Sequence, residues 1–450
     1  MAVTARSIDV SALLDGRKLT AFNYRLIILS WLITLFDGLD MMMVSFTAPY
    51  MRDELGLDTG MLGNVFAAGT AGMVVGGFLF AYIGDRIGRR PTVIVTAFGF
   101  GLLTVATAFA QSYPVLVLLR FLDGLALGGM LPLAWALNIE FVPRRMRATV
   151  VTIVMLGYAL GSTIAAPLTN WIAPQHGWQA VYLIGGTGTI LSAIALVFGL
   201  PESIRFLVGR GGQPDRIVAT LKRIDPAFSG TASDHFYLGD EAGAPAKFHV
   251  RELLRNRLAV ITPLLWLGYM VSSMAIYFKA SWGPLVLEGL DVPRHVAANV
   301  SAIGGLLGAV AGLALMRFTD KYGPAAVAFY PLFSAPVLLL IGFDAVPAPL
   351  FVPSFILSTM LVSGAHFGII SIAGIFYPSS VRASGAGWAA SIGKIAGVAG
   401  PLLGAVVLSS QLPLLRSFAF LAICPAILFL CALGLTFTTR RRRAEAALAG

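Results

Sequence analysis

Charge is what this chain has least of. Asp, Glu, Lys and Arg make up only 12% of its 450 residues, against about 25% in a soluble domain. Hydrophobic residues reach 57% and mean hydropathy is +0.82, which excludes an ordinary soluble fold. Cysteine is scarce too. Cys424 and Cys431 share one apolar run with no His beside them, so they read as packing residues and not as a metal site. No Gly-x-x-x-x-Gly-Lys-Ser/Thr loop occurs, and direct use of ATP has no support. Gly185-Gly186-Thr187-Gly188 lies inside an apolar run without a preceding strand, a poor context for a nucleotide. The first 23 residues carry Asp9 and Asp15 and no apolar core, so the first span is expected to be an uncleaved anchor. No nucleophile–base pair or metal cluster appears, which argues against an enzyme and against any cofactor. No attached signalling domain is visible, which argues against a sensor.

Long apolar runs are what the chain has. Runs of about 20 residues cross a bilayer. Twelve are found, at roughly 24–48, 61–84, 91–110, 113–139, 148–171, 178–200, 258–286, 295–318, 324–342, 349–375, 383–409 and 415–438. The net charge of +10 does not indicate nucleic acid. Most of the 32 Lys and Arg residues fall in loops on one side of the twelve-span arrangement, whereas Arg52, Arg294 and Arg416 fall on the other. This asymmetry predicts cytoplasmic termini in a bacterial inner membrane.

The chain repeats itself. Asp85-Arg-Ile-Gly88-Arg89-Arg90 follows the second span, and Asp320-Lys-Tyr-Gly323 follows the eighth. Pro143-Arg-Arg-Met-Arg147 follows the fourth, and Pro378-Ser-Ser-Val-Arg382 follows the tenth. The interval from Asp85 to Asp320 equals that from Pro143 to Pro378. Such repeats mark secondary transporters. The expected organisation is a six-helix bundle over 1–200, a cytoplasmic linker over 201–257 and a second bundle with a short basic tail over 258–450. Within the linker, residues 214–224 read as an amphipathic helix, either a local feature or one lying on the membrane surface. Residues 229–246 look like flexible linker.

Asp37 and Asp40 lie inside the first run, Asp37 near its middle. A carboxylate at mid-bilayer costs about 2.5–3.5 kcal/mol on insertion scales, so such residues usually face a polar cavity and handle protons, ions or substrate. Their spacing places both on one helix face. With no ATP site, an ion or solute gradient must drive transport, and the carboxylates favour protons.

The loop Asp85-Arg86-Ile-Gly88-Arg89-Arg90 resembles the signature of the major facilitator superfamily, with a weaker copy at Asp320. There the loop locks one conformation and releases in the other. Ala81 and Met316 stand where the pattern has glycine. Asp37-Gly38-x-Asp40, Arg120-Phe-Leu-x-Gly124-Leu-x-Leu-Gly128-Gly129, Glu140 with Pro143-x-Arg-x-Arg147, Pro201-Glu202-Ser203-x-Arg205 and Tyr377-Pro378-x-x-x-Arg382-Ala383-x-Gly385-x-Gly387-Trp388 resemble the aromatic acid:proton symporters over essentially the whole chain. The resemblance implies that Asp37, Asp40, Asp85, Arg120, Glu140 and Lys394 matter for uptake. Lys394 replaces the usual Arg and loses its planar fork. Asp123, Leu133 and Lys279 are further departures.

The expected site residues follow. Asp37, Asp40 and Asp123 are candidates for proton coupling. Arg120, Lys394, Lys279, Tyr269, Trp388 and His366 are candidates for substrate contact. Asp85, Arg86, Gly88, Arg89, Arg90, Glu140, Arg147, Asp320 and Arg382 are candidates for gating. Arg120 and Lys394, in opposite halves, are expected to face each other across a cavity. For each, a plainer structural role stays open: an ion pair for Arg120 and Lys394, an outward-reaching side chain for Lys279, packing for His366 and the aromatic residues. The reading is an all-α, twelve-helix, single-chain symporter. It would import a small aromatic or related organic acid with protons by alternating access and work as a monomer. An exporter or antiporter, or a porter of a sugar or dicarboxylate, is the alternative.

Overall fold

A computed structural model describes residues 6–448 apart from 212, 240–249, 378–380 and 411. The side chains of 316, 320, 321, 323, 324, 373–375, 382, 383 and 439–448 also fall outside the description. The chain runs β1 (Ser7–Asp9), α1 (Val10–Asp15), α2 (Ala21–Leu55), α3 (Thr59–Ile87), α4 (Arg89–Thr107), α5 (Tyr113–Phe141), α6 (Arg147–Gly199), α7 (Ile204–Arg210) and α8 (Pro214–Ile224). It continues through β2 (His235–Tyr237), α9 (Leu258–Glu288), α10 (Arg294–Tyr322), α11 (Phe329–Gly342), α12 (Ala348–Phe376), α13 (Arg382–Leu408), α14 (Arg416–Leu421) and α15 (Ile423–Leu448).

Among the described residues, 11 helical stretches are long and apolar enough to cross a membrane. The twelfth span of the sequence reading is hidden in α6. That helix has 53 residues, about 80 Å at 1.5 Å per residue, far beyond one bilayer. Gly177, at φ 76° and ψ 162°, breaks it into two crossings; only glycine adopts such a backbone readily. Lipid-facing positions are apolar and open, as at Phe198, Trp171 and Val406.

Small residues set the helix seams. A Cβ on Gly124 would strike the backbone of Gly69, and one on Gly128 the backbone of Met73, so α3 and α5 pack backbone to backbone. The interval that relates Asp85 to Asp320 relates this seam to one in the second half, where Gly304 meets Thr359 and Gly308 meets Ser363. It likewise relates Gly38 against Tyr158 to Ser273 against Gly393. The sequence repeat is thus a repeat of contacts.

Helix α8 is amphipathic, but its apolar face is already used. Ile217, Val218, Leu221 and Ile224 share a buried cluster with Val10, Leu14 and Phe228, which disfavours the membrane-surface reading. Ser7 to Asp9 pair in parallel with His235 to Tyr237, and Arg17 pairs with Asp225 at 2.5 Å. The segment expected to be flexible is therefore anchored as far as 239, while 240–246 lie outside the described residues.

Candidate functional site

Three helices converge on Arg120. It projects from α5 with Asp123 one turn on, α2 brings Asp40, and α4 brings Thr104 and Thr107. Arg120 Nη1 donates to Asp40 Oδ2 at 3.2 Å. Nη2 donates to Thr107 Oγ1 at 3.2 Å and lies 3.1 Å from Asp123 Oδ2. The Thr104 hydroxyl donates to Asp123 at 3.2 Å, and the guanidinium stands 5.2 Å from the Tyr182 ring centre. Arg120 is 4% exposed, Asp40 2% and Asp123 1%. Two carboxylates facing one guanidinium carry a surplus negative charge unless one holds a proton. An uncompensated buried charge is costly. Arg120 Nε has no partner among the described residues.

Asp40, Arg120 and Asp123 line a cavity that also touches Ala280 and Ser281 of α9. Its free volume is about 30 Å³, room for a water and not for an aromatic ring. A larger guest requires the halves to move.

Asp37 is fully buried, and neither carboxylate oxygen has a hydrogen bond among the described residues. Asp40 and Lys394 lie within electrostatic reach of it, as do Tyr158 and Tyr277. Lys394 is exposed although it lies mid-way along α13, and its Nζ reaches Gly77 of α3 in the other half. It therefore projects into the space between halves. Acids of its own half enclose Arg120, and Lys394 lies within electrostatic reach of Asp37.

The other substrate candidates scatter. Tyr269 is buried and donates to the Ile370 carbonyl at 3.1 Å. His366 Nδ1 is 3.0 Å from Ser272 Oγ, and Gly393, beside Lys394, packs on Tyr269 and Ser273. These four form a patch of the second half. Trp388 is 42% exposed and lies beside Trp266. Lys279 is not among the residues that line this cavity in the state described. It is enclosed in the second half, donating to Ser358 Oγ at 2.6 Å.

The loop after α3 organises one face of the first half. Arg89 pairs with Glu140, which also accepts from Ser203 Oγ at 2.6 Å. Glu202 accepts from the backbone N–H groups of Arg89 and Arg90 at 3.0 and 3.1 Å, satisfying orphan donors at the start of α4. Arg90 clamps the end of α6 through the carbonyls of Leu200 and Val197. Gly88 sits at φ 111°, and a Cβ there would strike Glu202. Arg86 lies 4.3 Å from the Tyr82 ring centre, and Arg147 donates to the Val142 carbonyl at 3.3 Å. Asp85 is exposed, and no hydrogen bond or ion pair of its side chain forms among the described residues. The side chains of Asp320 and Arg382 lie outside the described residues.

At the opposite face the halves are tied together. Arg52 bonds Glu288 at 3.0 Å, and Arg294 bonds both Glu288 and Asp53 at 2.8 Å. Asn170 donates to the His295 carbonyl at 3.0 Å, and beneath them Phe66 meets Trp282 edge-on at 5.2 Å. Sequence reasoning missed this cluster, the shell of Thr104, Thr107 and Tyr182, and Glu202 as a helix cap. The available signal was the placement of Arg52-Asp53 and Glu288…Arg294 at span ends on the charge-poor side.

The Major Facilitator Superfamily model matches residues 30–401. A gallate transporter of Pseudomonas putida is 32% identical over 419 residues, covering 92% of each chain. A 4-hydroxybenzoate transporter of Pseudomonas aeruginosa is 31% identical over 405 residues, covering 89% of this chain and 90% of the relative. The xylose transporter of E. coli, solved in a partially occluded inward-open conformation, superposes with a TM-score of 0.71 at 18% identity over 91% of this chain and 97% of that one. At that identity the likeness concerns the fold alone.

Proposed function

Because this chain belongs to the Major Facilitator Superfamily, in its aromatic acid:proton symporter branch, and is a multi-pass membrane transporter and not an enzyme, we propose that it imports a small aromatic carboxylate together with protons. The observation that carries this reading is the buried Asp40–Arg120–Asp123 cluster. It offers a guanidinium whose fork fits a carboxylate and surplus acid that fits a proton. Protonation of one carboxylate loosens its hold on Arg120, and the substrate carboxylate takes its place. Lys394, exposed between the halves beside the orphaned Asp37, supplies a second cation. The proposed site residues are therefore Asp37, Asp40, Arg120, Asp123 and Lys394, with Tyr269 and His366 in the second-half patch beside Gly393. The gallate and 4-hydroxybenzoate relatives support the substrate class.

The basic face is assigned to the cytoplasm of a bacterial inner membrane, with both termini there, and the chain acts as a monomer in the bilayer. On this assignment the Arg52–Asp53–Glu288–Arg294 cluster closes the periplasmic side, and the unpartnered Asp85 reports a cytoplasmic lock that is released. The state described is then inward-facing. Alternating access exchanges these two closures.

The test is uptake by purified protein in proteoliposomes. Radiolabelled 4-hydroxybenzoate, gallate and benzoate should accumulate under an inward proton gradient and collapse with a protonophore. Xylose and succinate should not accumulate. Uptake of acids and their neutral amides at equal rates would overturn the carboxylate reading.

A further inference from the structure

The interval that superposes the two halves carries Asp123 onto Ser358, Arg120 onto Phe355 and Asp40 onto Ala275. Lys279 lies one helical turn beyond Ala275 on α9. Helix side chains lean toward the N-terminus, so its amine reaches back to the depth of the charged cluster in the other half. There it meets no acid among the described residues. Its Nζ donates to Ser358 Oγ at 2.6 Å, and that hydroxyl is itself committed to the Phe355 carbonyl at 2.8 Å. The Phe355 and Phe418 ring centres lie 4.3 and 5.6 Å from Nζ. Lys279 is 5% exposed.

An ammonium has three donors, and this pocket supplies one accepting oxygen among the described residues. Aromatic faces offset part of the cost of a buried cation, but without a counter-ion the neutral amine is the better-satisfied form. Titratable groups on the surrounding helices are engaged elsewhere. Asp37 and Asp40 of α2 and Lys394 of α13 belong to the cavity between halves. His366 of α12 is held by Ser272. Arg294 of α10 pairs with Glu288 of α9. Arg416 of α14 stacks on Phe343. Cys424 and Cys431 of α15 are uncharged thiols.

We propose that Lys279 is a second proton-carrying site of the transport cycle, placed in the C-terminal half at the register that holds Arg120 and its acids in the N-terminal half. This rests on the proton-symport reading above. When the periplasmic face opens, water reaches the end of α9 and the amine takes up a proton. When that face closes and Lys279 is dried, the Nζ–H bond breaks with its electron pair left on nitrogen. The proton then passes to water in the cavity that opens to the cytoplasm.

Two measurements test it. In purified protein carrying ¹³Cε-lysine, the Lys279 resonance is identified by its loss in Lys279→Met. It should include the amine position as well as the ammonium position within the pH range over which the protein transports. An ammonium position throughout would overturn the proposal whether or not any acid is transported. In proteoliposomes, the reversal potential of 4-hydroxybenzoate flux should give more than one proton per acid for wild type and one proton fewer for Lys279→Met. Proton-independent counterflow should stay within about threefold. A wild-type ratio of one, or an unchanged ratio in the variant, would also overturn it, and the wild-type ratio does not depend on how well the variant folds. Absence of any acid uptake by wild type would instead sink the symport reading and leave the resonance result standing.

Discussion

In the N-terminal half, Arg120 sits between Asp40 and Asp123 with Thr107 completing its fork. In the C-terminal half, at the equivalent depth, Lys279 sits between one serine and two phenylalanine rings. Both cations are buried, yet the first is held by charge and the second by contacts that survive its neutralisation. The lesson is about dependence. Removing a member of the first site strands charges in a dry interior, whereas removing the second leaves a hydroxyl and two apolar rings. One half is therefore expected to be intolerant and the other forgiving.

The largest expected effect comes from Arg120→Gln. It strands Asp40 and Asp123, and breaking a buried pair in this way costs about 3–5 kcal/mol. Uptake should fall to background, and the thermal midpoint of the detergent-solubilised protein should drop by several degrees. Arg120→Lys should rescue little, because one ammonium cannot replace a planar fork shared by two acids and a threonine. Wild-type uptake by Arg120→Gln would remove the cluster from the mechanism.

Next in size is Asp37→Asn. The carboxylate has no hydrogen bond to lose, so stability should hold. Driven accumulation should be abolished while counterflow of labelled acid persists. Loss of both together would make Asp37 a binding group and not a coupling group.

A smaller effect is expected at the far end of the molecule. Glu288 is shared by Arg52 of the other half and Arg294 of its own, so Glu288→Gln weakens the Arg52 link between halves and leaves the Arg294–Asp53 link in place. Partly exposed pairs are worth about 0.2–1 kcal/mol each, so labelling of a cysteine introduced at Ser45, in a Cys424→Ser/Cys431→Ser background, by an impermeant maleimide from the side that carries this cluster should rise a few fold. Unchanged labelling would assign closure to the apolar layer of Phe66 and Trp282 alone.

The smallest effect on this conformation is predicted for Asp85→Asn. Asp85 has no partner among the described residues, so the thermal midpoint should not move. Turnover should slow severalfold with substrate affinity within a few fold, because the residue acts in the other conformation. A clear loss of stability would show that Asp85 is engaged in the state described.

Much of this was legible in the chain. Each span is a local property: about 20 apolar residues must cross as a helix, because no other backbone arrangement satisfies its own polar groups in lipid. Gly124 and Gly128 announced a close seam by their spacing, and the structure lays the α3 backbone against both. Asp37, Asp40 and Arg120 were conspicuous because charge is costly at their depth. Thr104, Thr107 and Tyr182 were not, since a threonine or tyrosine in an apolar helix is cheap and common. Glu202 was visible as part of a motif, but its work as a cap for α4 needed a fold that brings it against residues more than a hundred positions earlier.

What the sequence determined by itself is therefore the set of helices, their twofold repetition and the inventory of charges buried within them. Periodicity, length and insertion cost act within a single segment. Only the tertiary structure decided that Arg120 answers to Asp40 and Asp123, that Arg52 and Arg294 bind the halves at one face, and that Lys279 is left without an acid among the described residues. Those outcomes depend on how each helix is rotated against its neighbours, and small residues at the seams set that rotation, through contacts between segments that are distant in the chain.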